Sequence, residues 1–157
     1  MTSITALTRS PAWALVTPFA KYDRVRREID TGARLGRAEQ RLMWLVMQDR
    51  TLTLRDVAEH LGLEQSTVNR QVNAAIKAGL LHRYRESRGS AYSLAATDQG
   101  AELFREDLTW QLGLLDSALQ DLPAAEREAF PDTFARFIEA YENALSQSAG
   151  SGSPRPS

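Results

Sequence analysis

With 157 residues, 43% of them hydrophobic, the chain is long enough for one domain with its own core, or a domain plus an extension. It holds no cysteine, which excludes disulfide scaffolds, thiol redox chemistry, cysteine catalysis and Cys-based zinc sites; no apolar run approaches the ~20 residues of a membrane-spanning helix. The net charge of −1 hides an asymmetry, since residues 68–90 carry five Lys/Arg against one acidic residue while residues 98–146 carry three against eleven.

In chain order, Ser10-Pro11 and Thr17-Pro18 both read as helix starts, a capping residue followed by proline at the first helical position. The first helix is predicted from one of these to about Thr31. Arg9, Pro11 and Pro18 interrupt the mildly apolar N-terminus, no basic segment precedes it, and the expected location is the cytoplasm. Gly32 and Gly36 punctuate the next turn, and a second helix is predicted over about Arg37–Gln48. Thr53 caps a short helix, Leu54–Leu61, which Gly62 ends where a left-handed residue is wanted. A fourth helix follows over about Gln65–Ala78 and stops at Gly79.

After Gly79 the helical period fades. Leu80–Arg85 and Ser90–Ala96 flank Glu86-Ser87-Arg88-Gly89, a turn sequence, and predict a β-hairpin. Thr97 caps a long helix, about Asp98–Gln120. Pro123 opens the next, and Pro131 is expected to kink or restart it before Asp132–Leu145. Residues 147–157, rich in Ser, Gly and Pro, are expected to be a disordered tail.

Three helices followed by a hairpin make a winged helix-turn-helix. The fold class is therefore mainly α with a small β-hairpin, a single domain over residues 1–146 with a DNA-binding lobe at 37–97. Val68, Val72 and Ala75 lie at i, i+4 and i+7 and bury one stripe of the fourth helix. That leaves Gln65, Ser66, Thr67, Asn69, Arg70 and Asn73 for a major groove, where Arg pairs with guanine, Asn or Gln with adenine, and Ser or Thr with phosphates or bases. Alternation aims Arg83 and Arg85 to one side of the wing, with Arg88 at a tip suited to the minor groove. Lys77 and Arg55 fit phosphate contacts and fit plain surface charge equally well.

The elements Val57-Ala58-x-x-Leu61, Ser66-Thr67-Val68-x-Arg70-x-Val72, Gly79-Leu80-Leu81-x-Arg83 and Thr97-x-x-Gly100 resemble, in order and spacing, the multiple-antibiotic-resistance-regulator (MarR) family over about residues 10–146. The resemblance implies a homodimer joined by first and last helices (10–31 and 98–146), two winged lobes on a pseudopalindromic operator, and frequent release by a small ligand. The chain departs from the family where Glu86-Ser87-Arg88 replaces the Asp-x-Arg that braces the wing, and where Ala75-Ile76 replaces a Leu-Glu pair.

Phe130, Phe134, Phe137, Ile138, Tyr141 and Leu145 form one helical stripe, and self-association is the simplest way to cover it. Trp13, Tyr22, Met43, Trp44, Met47 and Trp110 are expected to line an effector pocket, with Arg24, Arg26, Arg27 or Arg41 available to an anionic ligand. Aromatic residues at helical spacing also serve as plain core. His60 and His82 stand 22 residues apart, and no sequence motif places a catalytic, metal or phosphate-binding set, so no enzyme and no cofactor is expected. The rival readings are a winged helix used only for protein contact and a DNA binder without an effector.

Overall fold

The computed structural model describes residues 7–48 and 51–150. Ser10 accepts a hydrogen bond from the Ala12 N–H and starts a 3-10 turn, Pro11–Leu15, that leads into α1 (Val16–Gly32). The first predicted start is thus used for the turn, whereas α1 begins at Val16 after Leu15, so Thr17 and Pro18 fall inside its first turn and Thr17 does not cap it. Next come α2 (Arg37–Val46), β1 (Leu52–Thr53), α3 (Leu54–Leu61), α4 (Gln65–Lys77), β2 (Leu81–Tyr84), β3 (Ser93–Ala96), α5 (Asp98–Gln120) and α6 (Ala124–Gly150).

The chain divides into two compact units, Met1–Gln111 and Leu112–Ser157. In the first, the strands form an antiparallel sheet ordered β1-β3-β2, with Leu52 opposite Leu94 and Arg83 opposite Leu94 from the other side. The predicted hairpin is therefore the outer part of a three-stranded sheet. Its third strand is only two residues long and carries no periodic signal.

The core of this unit gathers Leu42 and Met43 of α2, Val57 of α3, the Val68–Val72–Ala75 stripe of α4, Leu81 and Leu94 of the sheet, and Phe104 of α5. The start of α5 is pinned tightly to the Gly79-Leu80 turn between α4 and β2. The Thr97 hydroxyl accepts from the Gly100 N–H at 2.9 Å, and the Thr97 N–H donates to the Leu80 carbonyl at 3.0 Å. A Cβ on Gly100 would sit 2.2 Å from that carbonyl oxygen, so the Thr97-x-x-Gly100 spacing is a packing requirement.

In the second unit, Arg127 closes the turn after α5 by donating to the Gln120 side chain and to the Gln120 and Leu122 carbonyls. Pro131 lies inside α6, which runs on through it without a restart. It lies on an exposed face, where the carbonyl four residues earlier can turn to solvent instead of to the missing N–H. The helix also continues through residues 147–150, which the sequence assigns to a disordered tail; the rest of that tail lies outside the described residues. No described helix is long and apolar enough to cross a membrane.

Candidate nucleic-acid interface and adjoining cleft

The helix-turn-helix is built by two local devices. Thr53 and Asp56 form a reciprocal cap on α3: the Asp56 carboxylate accepts from the Thr53 N–H at 2.8 Å and from its hydroxyl at 2.7 Å, and the Thr53 oxygen accepts from the Asp56 N–H. These bonds to the ionised carboxylate hold Asp56 below the usual aspartate range, helped by the positive charges of His60 and Arg55 and opposed by slight burial. At the other end Gly62 takes the left-handed conformation, φ 61°, and the Leu63 N–H returns to the Ala58 carbonyl at 3.1 Å. Leu63 then packs against the core and turns the chain into α4.

Helix α4 buries Val68, Val72 and Ala75, as its period requires. Gln65, Ser66, Asn69, Arg70, Asn73 and Lys77 are exposed and Thr67 is half-buried. Glu64 precedes the helix and gives it no side-chain cap; its carbonyl accepts from the Thr67 and Val68 N–H groups.

The three wing arginines behave differently. Arg83, in β2, reaches across to α4: its Nη2 donates to Asn73 Oδ1 at 2.9 Å and to Asn69 Oδ1 at 3.3 Å. Arg85 follows the strand and lies 4.0 Å over the Tyr92 ring, a cation–π contact that steadies it. Arg88 is exposed at the tip, beside Gly89 with φ 96° and a Ser87–Ser90 turn closed through the Ser90 hydroxyl. Glu86 accepts from the Thr51 hydroxyl at 2.9 Å and so tethers the wing to the segment before β1. Nothing in the sequence shows the Arg83–asparagine contacts, because they join side chains from two elements.

A cleft of about 620 Å³ opens in the same unit among α1, α2, α3 and α5. Trp44, Leu45, Leu61, Phe104 and Leu108 supply its apolar wall, and Arg26, Arg37, Arg41, Gln40, His60, Asp107 and Gln111 its polar one. Trp44 and Phe104 meet edge to face, ring centroids 6.3 Å apart. Arg37 and Arg26 both pair with Asp30, whereas Arg41 has no ion pair among the described residues. The imidazole Nδ1 of His60 lies 2.7 Å from the Asp56 carbonyl, which can only accept, so Nδ1 carries the proton.

Of the six residues expected to line an effector pocket, only Trp44 lies here. Met43 is a core residue, 1% exposed, because α2 turns it inward beside Leu42. Met47 lines a separate cleft against β3 and the start of α5. Trp13 and Tyr22 are exposed on the N-terminal segment, and Trp110 lies against Gly32, where a Cβ would come within 2.7 Å of its ring. Of the four arginines named for an anion, Arg26 and Arg41 line the cleft. The meeting of Phe104, Leu108 and His60 depends on helix packing that periodicity does not specify.

Residues 40–90 match the model of the MarR family, which covers the helix-turn-helix and most of the wing. Among curated proteins none matches the chain at the level of sequence. Solved structures are similar along most of its length. A MarR family protein from Bacillus stearothermophilus is 16% identical, covering 90% of this chain and 99% of that one, with a TM-score of 0.71. Streptococcus pneumoniae FabT, solved in complex with DNA, is 16% identical over 83% and 94%, at 0.68. The PcaV transcriptional regulator of Streptomyces coelicolor, solved with its natural ligand, is 21% identical over 90% and 99%, at 0.62. At these identities the likeness establishes the fold: a winged helix-turn-helix of the MarR type.

Proposed function

We propose that the chain is a cytoplasmic transcriptional repressor that acts by binding rather than catalysis. It sits as a homodimer on a pseudopalindromic duplex operator and leaves it when a small aromatic or anionic effector binds. The observation that carries this reading is the exposed face of α4. Ser66, Asn69, Arg70 and Asn73 stand out from a helix whose opposite stripe is buried, and the wing beside it exposes Arg85 and Arg88.

The chemistry supports each part. Arg70 suits guanine, Ser66 and Thr67 suit phosphates, and an arginine-tipped wing suits the negative potential of a narrow minor groove. Two lobes related by a two-fold axis would set their recognition helices one DNA turn apart, ~34 Å. FabT is a neighbour in fold and was solved with DNA, and PcaV with a ligand, so this architecture accommodates both. The cleft pairs an aromatic wall with the unpaired cation of Arg41, a combination suited to an aromatic acid. A winged helix serving only protein contact would have no need of an exposed basic face on helix and wing.

A gel shift on duplex DNA from upstream of the chain's own reading frame, repeated at rising salt, tests the reading. The expected result is a complex at low salt that weakens steeply as counterions compete. Absence of a complex with any duplex at low salt overturns it.

A further inference from the structure

The polar face of α4 is not a row of independent side chains. Arg83 Nη2 donates to Asn73 Oδ1 at 2.9 Å and to Asn69 Oδ1 at 3.3 Å, and Asn73 Nδ2 donates to the same Asn69 oxygen at 3.4 Å. A guanidinium has only donors, so the amide atoms that face it are oxygens, and both asparagine orientations follow. The oxygen of Asn69 then accepts twice, which uses both of its lone pairs, and its Nδ2 is left as two donors pointing away from Arg83.

Asparagine reads adenine by accepting from N6 and donating to N7 at once. With its oxygen occupied, Asn69 can only donate. We infer that Arg83 is a specificity-determining positioning residue: by holding the carbonyls of Asn69 and Asn73 it denies Asn69 the two-bond adenine contact, so that guanine or thymine is preferred over adenine opposite Asn69 in the operator. Guanine offers O6 and N7 side by side and thymine offers O4, whereas adenine offers only N7 and sets its N6 amino group against a second donor. The inference rests on the DNA-binding reading above. It also gives the wing a second task, since β2 carries the residue that sets how α4 reads.

Selection from a randomised duplex library, run in parallel on the wild-type chain, Arg83→Met and Asn69→Ala, tests it. Asn69→Ala identifies the base step that Asn69 reads, as the position whose preference disappears. Wild type is expected to prefer guanine or thymine over adenine there. Arg83→Met frees the oxygen and is expected to raise adenine at that step alone by about tenfold, within the range of a bidentate base contact. In the free protein the side-chain amide resonances of Asn69 and Asn73 are expected to move in Arg83→Met. All three positions are exposed, and thermal melting checks that the variants fold. Uniformly weaker binding by Arg83→Met with unchanged base preferences overturns the inference and makes Arg83 a phosphate contact. So does a wild-type preference for adenine at the Asn69 step. Enrichment of no duplex by wild type overturns the DNA-binding reading itself, and this inference with it.

Discussion

The buried carboxylate of Asp107 accepts from the main-chain N–H of Leu35 at 2.8 Å, and its other oxygen accepts from the N–H of Arg34 at 2.9 Å. One side chain of α5 thereby satisfies the two central donors of the α1–α2 turn and ties together three of the helices that frame the cleft. Asp107→Ala leaves the buried Leu35 N–H without a partner, at a cost of roughly 1–3 kcal/mol, and removes the part-buried bond from Arg34 as well. The expected outcome is a loss of about 2–4 kcal/mol in urea unfolding, with Asp107→Asn intermediate because it keeps one acceptor. Equal midpoints for wild type and Asp107→Ala would show that the turn does not depend on this contact.

Gly100 makes a second prediction about the same helix. Its missing Cβ leaves room for the Leu80 backbone, and backbone cannot rotate away as a side chain would. Gly100→Ala normally favours a helix by up to ~1 kcal/mol. Here the clash is expected to reverse the sign, with a net loss of about 1–3 kcal/mol typical of overpacking. A melting temperature at or above wild type would contradict the close approach.

The parts legible in the sequence are those specified within one element. The α4 stripe of Val68, Val72 and Ala75 follows from a 3.6-residue period, and α5 runs from Asp98 to Gln120 as its flanking Thr97 and Pro123 imply. The parts not legible are those made between elements. β1 exists because Leu52 pairs with Leu94, and two residues have no period to detect. The cleft draws on four helices, so aromatic and methionine content points to Met43 and Trp110, which packing uses elsewhere, and does not single out Phe104 and Leu108. Asn69 and Asn73 were legible as polar and outward; their engagement by Arg83 from the wing was not.

Asp56 links pH to the helix-turn-helix. Its folded pKa is depressed chiefly by the hydrogen bond from the Thr53 N–H, then by the Thr53 hydroxyl. A depressed carboxylate contributes stability that is complete above the unfolded value of about 3.9 and is lost as pH falls through the folded value. Asp56→Asn keeps an acceptor and loses the charge at the helix start, an expected cost of roughly 0.3–1 kcal/mol at neutral pH. The gap between the two proteins in thermal melts is expected to close as the pH is lowered below the ordinary aspartate range. A gap independent of pH would mean that the charge contributes nothing.

The cleft makes its own prediction, given the proposed effector. An aromatic carboxylate that binds the folded state stabilises it by mass action, ~2.7 kcal/mol at one hundred times Kd. Benzoate-class acids are expected to raise the melting temperature by several degrees and to quench Trp44, which is 53% exposed and lines the cleft. Arg41→Ala is expected to weaken binding of the acid about tenfold or more while leaving a neutral phenol of similar shape nearly unaffected, since only the ion contact is removed. Equal loss for both would place the anion elsewhere.

The last prediction concerns α6, whose apolar stripe is exposed within its own unit. Phe130, Phe134, Ile138, Tyr141 and Leu145 are each 40% or more exposed, Leu145 reaching 66%. Phe130 and Phe134 stack 5.6 Å apart, so the stripe presents a ready-formed aromatic surface. An apolar patch of this extent on a water-exposed helix would be stabilised by a partner, and under the proposed function a second copy would supply the matching surface by two-fold symmetry. Ile138→Asp places a charge mid-stripe on an exposed position, so the fold of the single chain is retained while pairing is opposed. The expected outcome in sedimentation at micromolar concentration is a wild-type dimer and a monomeric variant. The variant is also expected to lose operator affinity by far more than a surface charge would cost, because each monomer then holds only one half-site. A wild-type chain that sediments as a monomer would remove the dimer from the proposal and leave the stripe to a different partner.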